Sequence, residues 1–201
     1  MRLMSFGVLL GAGVLLAGCQ YATTPDPALS VYDKAQFAKV PKEPIYLPFH
    51  RYLVDDPTGK PPGTIVVDTH EHFLYYVLPN HKAMRYGVAT GGKKYAWTGT
   101  ATVEDKKEWP TWTPTASEYK RWSYLKAAIP GGTMPGGGDN PLGARAMYLY
   151  MNGKDTGYRI HGTNEPGDIG RSVSSGCIRM SNIDAVDLYN RVKIGTKVIV
   201  E

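Results

Sequence analysis

Cys177, in the run Ser174-Ser175-Gly176-Cys177-Ile178-Arg179-Met180, is the residue of this chain best suited to covalent chemistry. The chain has one other cysteine, Cys19. It closes an apolar run that has Arg2 before it and Leu16-Ala17-Gly18 at its end. Residues 1–18 read as a secretory signal peptide, and residues 16–19 resemble the lipobox of bacterial lipoproteins. The apolar run is short for a spanning helix. If Cys19 becomes the lipidated first residue of a mature chain, Cys177 is left as a lone thiol in an oxidising compartment. Such a thiol is either paired between molecules or kept for its chemistry.

A cysteine attacks carbonyls as the thiolate, and near neutral pH it needs a base or positive surroundings to form one. His161 is the candidate base. It stands upstream at the predicted end of a strand, followed by Gly162. The polar, glycine-containing segment 163–174 can loop back and bring ring and thiol together. Arg171 and Arg179 would add positive potential around the sulfur or a substrate carboxylate. Gly176 lets the backbone turn tightly before Cys177, and amides of such a turn can hold a developing oxyanion. On spacing alone, a buried structural cysteine and a strand-end histidine in an ordinary hydrogen bond fit equally well.

The elements that must position these residues are mostly strands. Gly 23, Pro 15 and Tyr 14 in 201 residues favour turns and aromatic strands over a helical bundle. Residues 19–62 are rich in proline and lack sustained periodicity, so they read as a tether that becomes an extended arm. Its aromatics (Tyr32, Phe37, Tyr46, Phe49, Tyr52) suggest that part of it packs. A folded domain is expected over 63–201. Strands are predicted at 64–68, 73–78, 83–90, 97–103, 144–150, 158–161 and 196–200, with turns at 70–72 and 79–82. A short helix is expected at 118–126. A second helix is predicted after Ser181, which stands three residues before Asp184 as an N-cap, and it ends at Gly195. Residues 129–143 read as loop, and Lys106-Lys107-Glu108 as a solvated turn.

Several motifs in order resemble a known family. Ile160-His161-Gly162-Thr163-Asn164, Ile169-Gly170 and Ser175-Gly176-Cys177-Ile178-Arg179-Met180-Ser181-Asn182 look like the signature of the L,D-transpeptidase catalytic domain, also called the YkuD domain. Asn140-Pro141-Leu142-Gly143-Ala144-Arg145-Ala146 and Gly195-Thr196-Lys197-Val198 extend the match. The resemblance implies a mainly β, sandwich-like fold with one or two short helices and a cysteine in its cleft. It also implies action on peptidoglycan stem peptides. Cys177 would attack the carbonyl after the third residue of a donor tetrapeptide, and the terminal D-alanine would leave. An amine of a second stem, or of a wall-anchored protein, would take the acyl group. Water as acceptor would give carboxypeptidase or cross-link hydrolase activity. A non-catalytic wall-binding lipoprotein is the alternative from another class.

In this family resemblance His161 serves as base, then acid, then base again. Gly176, Gly162 and Ser175 would supply the oxyanion hole or orient the imidazole, the last through the Gly162 carbonyl. Many members carry histidine directly before the Gly-Cys pair, where this chain has Ser175. Ser175 either hydrogen-bonds thiolate or substrate, or is simply a small residue that fits. Arg179 either binds a substrate carboxylate or makes a structural ion pair.

No metal or organic cofactor is expected. His70 and His72 could share a face, but no third ligand stands at a convincing spacing. The glycines of 131–138 lack the Gly-Lys-Ser/Thr ending of a phosphate loop. Trp97, Trp109, Trp112 and Trp122 read by default as packing residues. The net charge of +5 suits an anionic wall or lipid partner and is too mild and dispersed for nucleic acid. The expected location is periplasmic, with the membrane attachment made by lipid on Cys19.

Overall fold

The computed structural model describes residues 21–201, so the signal-peptide and Cys19 readings lie outside the described residues. The chain runs through α1 (Val31–Phe37), β1 (Tyr52–Asp55), β2 (Ile65–Asp68), β3 (Phe73–Leu78), β4 (Lys82–Gly87), β5 (Thr90–Gly91) and β6 (Gly99–Glu108). It continues with α2 (Ala116–Arg121), α3 (Leu125–Ala128), β7 (Arg145–Met151), β8 (Lys154–His161), β9 (Ser172–Ser174), β10 (Ile178–Arg179), α4 (Asn182–Arg191) and β11 (Lys197–Val200). The fold is mainly β, with few and short helices.

Nine strands pair in the order β1-β4-β3-β2-β11-β6-β7-β8-β10, and β5 with β9 makes a separate two-stranded ribbon. Most pairs are antiparallel. The β2–β11, β8–β10 and β5–β9 pairs are parallel. Alternate residues of the strands face one core. Met84 and Tyr86 of β4, Val198 and Val200 of β11, and Ile160 and Ile178 of β8 and β10 all belong to it. Strands from both ends of the sheet share that core, so the sheet curls on itself and gives the sandwich-like section. Ala185, Leu188 and Val192 of the α4 region plug the centre. Burial of these apolar faces, at about 25 cal/mol per Å², is the main force holding the curl.

The N-terminal arm is more structured than its composition suggests. Ser30 caps α1 in a full capping box with Asp33. Proline content hid this helix, because its seven residues lie between prolines rather than across one. Further along, β1 adds to the edge of the sheet beside β4. The helix expected at 118–126 is two short helices, α2 and α3. Trp122 separates them with non-helical torsions, φ −121° and ψ 77°. Lys106-Lys107-Glu108 is not a turn but the last stretch of β6. Lys106 reaches with its long stem to the carbonyls of Tyr189 and Val192, each at 2.6 Å, where it closes the end of α4. The strand expected at 97–103 starts only at Gly99, which leaves Trp97 in the preceding loop.

Candidate active site

The end of β8 and the start of β10 bring the sequence motifs together. Ile178 lies opposite Ile160 and Arg179 opposite His161 in parallel register. Partners in a parallel pair share a face, and successive side chains alternate. Ile160 and Ile178 therefore enter the core, while Arg159, His161, Cys177 and Arg179 share the opposite face. Cys177, one residue before β10, is thus the diagonal neighbour of His161. The sulfur makes no hydrogen bond to the imidazole; the thiol instead points its S–H toward the Gly157 carbonyl, at 4.0 Å. The thiol is half-buried. A χ1 change can swing Sγ toward the ring, and such contacts commonly tighten only with substrate bound.

His161 is only 3% exposed. Its Nδ1 is 2.6 Å from the Gly162 carbonyl. A carbonyl only accepts, so Nδ1 carries the proton and Nε2 keeps the lone pair that a base needs. Burial, together with the positive Arg179 and Arg159, lowers the ring's pKa to about 3, despite the carbonyls of Gly162 and Leu142. The imidazole is neutral at rest.

Asn182, in the first turn of α4, fixes this corner. Its Oδ1 accepts from the amides of Ala144 at 2.9 Å and Thr163 at 3.1 Å, and its Nδ2 donates to the Thr163 carbonyl at 2.8 Å. A Cβ on Gly162 would collide with Asn182 Oδ1, so glycine is needed for this close approach. The sequence signal was a polar residue directly after the Ser181 cap. Its reach back to the His161 corner was not legible.

The turn before Cys177 is held from below. Trp97 and Tyr158 stack with centroids 4.8 Å apart and planes 6° off parallel. Trp97 Nε1 donates to the Gly176 carbonyl at 2.9 Å. Gly176 has φ +110°, and a side chain there would strike the Tyr158 ring. Ser174 Oγ accepts from the Gly176 amide at 3.1 Å and donates to the Cys177 carbonyl at 2.5 Å. The Gly176 amide is therefore already engaged and is not available to an oxyanion. Among the described residues the Cys177 amide has no hydrogen-bond partner. Trp97 is thus part of the support for this turn, beyond the general packing expected of it.

Arg179 makes the ion pair that was one of its two expected roles. Its Nη1 lies 2.9 Å from Glu165 and 3.4 Å from Asp168, which makes it a structural pair bracing the 163–171 loop. Arg171 is paired with Asp168 at 3.3 Å. Ser175 Oγ accepts from Arg121 Nη1 at 3.2 Å, a partner from α2 that the sequence reading missed. Burial pushes the Cys177 thiol up, more than the backbone amide of Arg159 and the charges of Arg159 and Arg179 pull it down. Thiol and imidazole are therefore both neutral before substrate binds.

A family model described as the L,D-transpeptidase catalytic domain (YkuD) matches residues 62–200. The chain belongs to this family. It is 37% identical over 137 residues to the Escherichia coli K12 protein named "Probable L,D-transpeptidase ErfK/SrfK", covering 67% of this chain and 42% of that protein. The chain thus spans less than half the length of that relative. A crystal structure from Brucella melitensis, named a "Probable carnitine operon oxidoreductase caia", is 44% identical with a TM-score of 0.51, over 83% of this chain and 98% of that one. The Enterococcus faecium L,D-transpeptidase C442S mutant shares the fold at a TM-score of 0.51 and 20% identity, over 69% of this chain and 49% of that one.

Proposed function

We propose that this L,D-transpeptidase family member forms a cysteine acyl-enzyme on peptidoglycan stem peptides and passes the acyl group to an amine. The observation that carries the reading is the pairing of β8 with β10. It sets the half-buried Cys177 diagonal to an imidazole whose Nδ1 proton is committed to the Gly162 carbonyl.

Because both groups start neutral, the thiol loses its proton to His161 Nε2 as sulfur attacks the carbonyl after the third donor residue. The C–S bond forms and the carbonyl π pair moves to oxygen, where the Cys177 amide can meet it. Collapse breaks the C–N bond, and His161 returns the proton to the departing D-alanine amine. An acceptor amine then attacks the thioester, His161 takes its proton, and the thiol is regenerated. Gly162 orients the ring. Gly176 shapes the turn through its φ rather than through its amide.

The oxidoreductase name of the Brucella structure is not carried over. The sequence has no Gly-x-Gly-x-x-Gly run, and no described strand enters a helix through such a turn. The export run and Cys19 support a periplasmic, lipid-anchored protein, with 19–62 as the arm and 63–201 as the catalytic domain. Among the described residues no helix is long and apolar enough to cross a membrane.

Incubation with tetrapeptide-bearing muropeptides tests the reading. Cross-linked dimers and free D-alanine are expected, and Cys177→Ser should make neither. Folded protein that yields neither product would refute it. Free D-alanine with trimmed monomers and no dimers would identify water as the acceptor, and a wall-anchored protein carrying the tripeptide would identify protein as the acceptor.

A further inference from the structure

We propose that Arg121 binds the terminal carboxylate of the donor peptide, on the residue that leaves; this rests on the transpeptidase reading above. Three arginines stand close to the thiol or its turn. Arg159 is committed, with its two terminal nitrogens 2.7 and 2.8 Å from the Asp155 carboxylate. Arg179 is committed to Glu165 and Asp168. Arg121 is different. Among the described residues no carboxylate lies within 4.0 Å of it, and its one hydrogen bond goes to Ser175 Oγ.

The setting of that guanidinium is specific. It lies 4.4 Å from the Tyr95 ring centroid and 5.1 Å from that of Trp122. Both are cation–π contacts, which hold the group in place without using any of its N–H donors. Arg121 uses one of five such donors. The remaining edge is the fork that a carboxylate matches in two parallel hydrogen bonds. Glu118, one turn earlier on α2, does not compete. Its carboxylate is held by the Thr115 amide at 2.7 Å and the Thr115 hydroxyl at 2.9 Å.

Placement selects the carboxylate. Ser175 is two residues from the nucleophile, so the two Cα atoms are at most about 7 Å apart. In a donor that ends one residue past the scissile bond, the terminal carboxylate carbon is about 4.3 Å from the attacked carbon along the bonds. A guanidinium seated on Ser175 is within reach of that group. A donor longer by one residue would present a neutral amide there and leave the fork unpaired. Arg121 would thus read donor length as well as charge.

The test is binding, so that it does not depend on turnover. Cys177→Ala protein would be titrated, by tryptophan fluorescence, with a donor tetrapeptide and with the same peptide carrying a C-terminal carboxamide. The acid is expected to bind at least 10-fold tighter. Adding Arg121→Met should remove the preference by weakening the acid alone, and Arg121→Lys should restore part of it. Lack of a preference in Cys177→Ala protein, including failure to bind either peptide, overturns the proposal. So does a preference that survives Arg121→Met, or an equal loss for both peptides, which a purely structural latch on Ser175 would give. D-alanine release by the wild-type protein is read in parallel. No release with the preference intact would count against the transpeptidase reading and leave the Arg121 assignment standing.

Discussion

His161 owes its neutrality to burial, with Arg179 and Arg159 adding to the effect, and this fixes how Cys177 can be activated. A resting thiolate–imidazolium pair would need the ring to be charged near neutral pH, and its environment opposes that. Alkylation of the substrate-free protein by iodoacetamide should therefore be slow at pH 7. It should climb with pH through a midpoint above the usual thiol value of 9.0. A rate plateau between pH 5 and 8 would show a preformed thiolate and contradict this. Replacing His161 with alanine should cost about 10²–10⁴ in turnover, the span of general base catalysis, with the melting curve still cooperative. Both residues were legible in the sequence because their types carry chemistry. Arg121 was not, because nothing in its neighbourhood along the chain says that α2 lies against Ser175. An ion pair was one of the two readings of Arg179, but its partners were not legible, since they stand fourteen and eleven positions away.

At the scale of elements, the short strand β10 and the turn before it are what aim the Cys177 thiol, the proposed nucleophile. That turn rests on the Trp97–Tyr158 stack and on a glycine at φ +110°. Gly176→Ala brings a Cβ into the Tyr158 ring and a backbone conformation costing about 1–3 kcal/mol. Displacing the sulfur by even about 1 Å should lower turnover by about 10²-fold. Measured kcat/KM together with a thermal melt checks this; unchanged kcat/KM would mean the turn does not aim the thiol. Strands β2, β3, β7 and β11 were read within two residues, because β-branched or aromatic residues mark them. The very short strands β5, β9 and β10 escaped notice. Two or three residues carry no period, and their pairing is decided by the rest of the fold. The capping box at Ser30 was present in the sequence, but prolines on either side hid the helix it starts.

The whole molecule is braced by its N-terminal arm. Asp33 of α1 is 3% exposed and sits against Arg145 of β7, with contacts of 3.0 and 3.1 Å, while Trp109 Nε1 donates to it at 2.9 Å. Arg51 makes a second clasp, to Asp184 of α4 at 2.9 Å. Removing one member of a buried pair strands the other, at about 3–5 kcal/mol. Asp33→Ala should therefore lower Tm by at least about 6 °C for a chain of this size. A shift of under 2 °C would show that the arm is not a stabilising part of the fold. Burial alone would raise the Asp33 pKa. Hydrogen bonds from Arg145, Ser30 and Trp109 outweigh it and hold the group at about 2.

Both Asp33 and His161 are depressed in the folded state, so each adds stability that is complete above its unfolded value and lost as pH falls. Loss should begin below 6.5 from His161 and below 3.8 from Asp33, continuing toward about 3 and about 2. Urea titrations across pH 2–7 should show both limbs, and His161→Gln should remove the upper one. A wild-type stability that stays level from pH 7 to 4 would contradict the placement of a neutral His161 in this fold.

Intact-mass spectrometry after mixing the protein with a donor tetrapeptide bears most directly on a Cys177 nucleophile served by His161. The protein should gain the mass of the tripeptide acyl group, mapped by digestion to Cys177, with one D-alanine released per adduct. No adduct on folded protein, or an adduct on any other residue, would contradict the account.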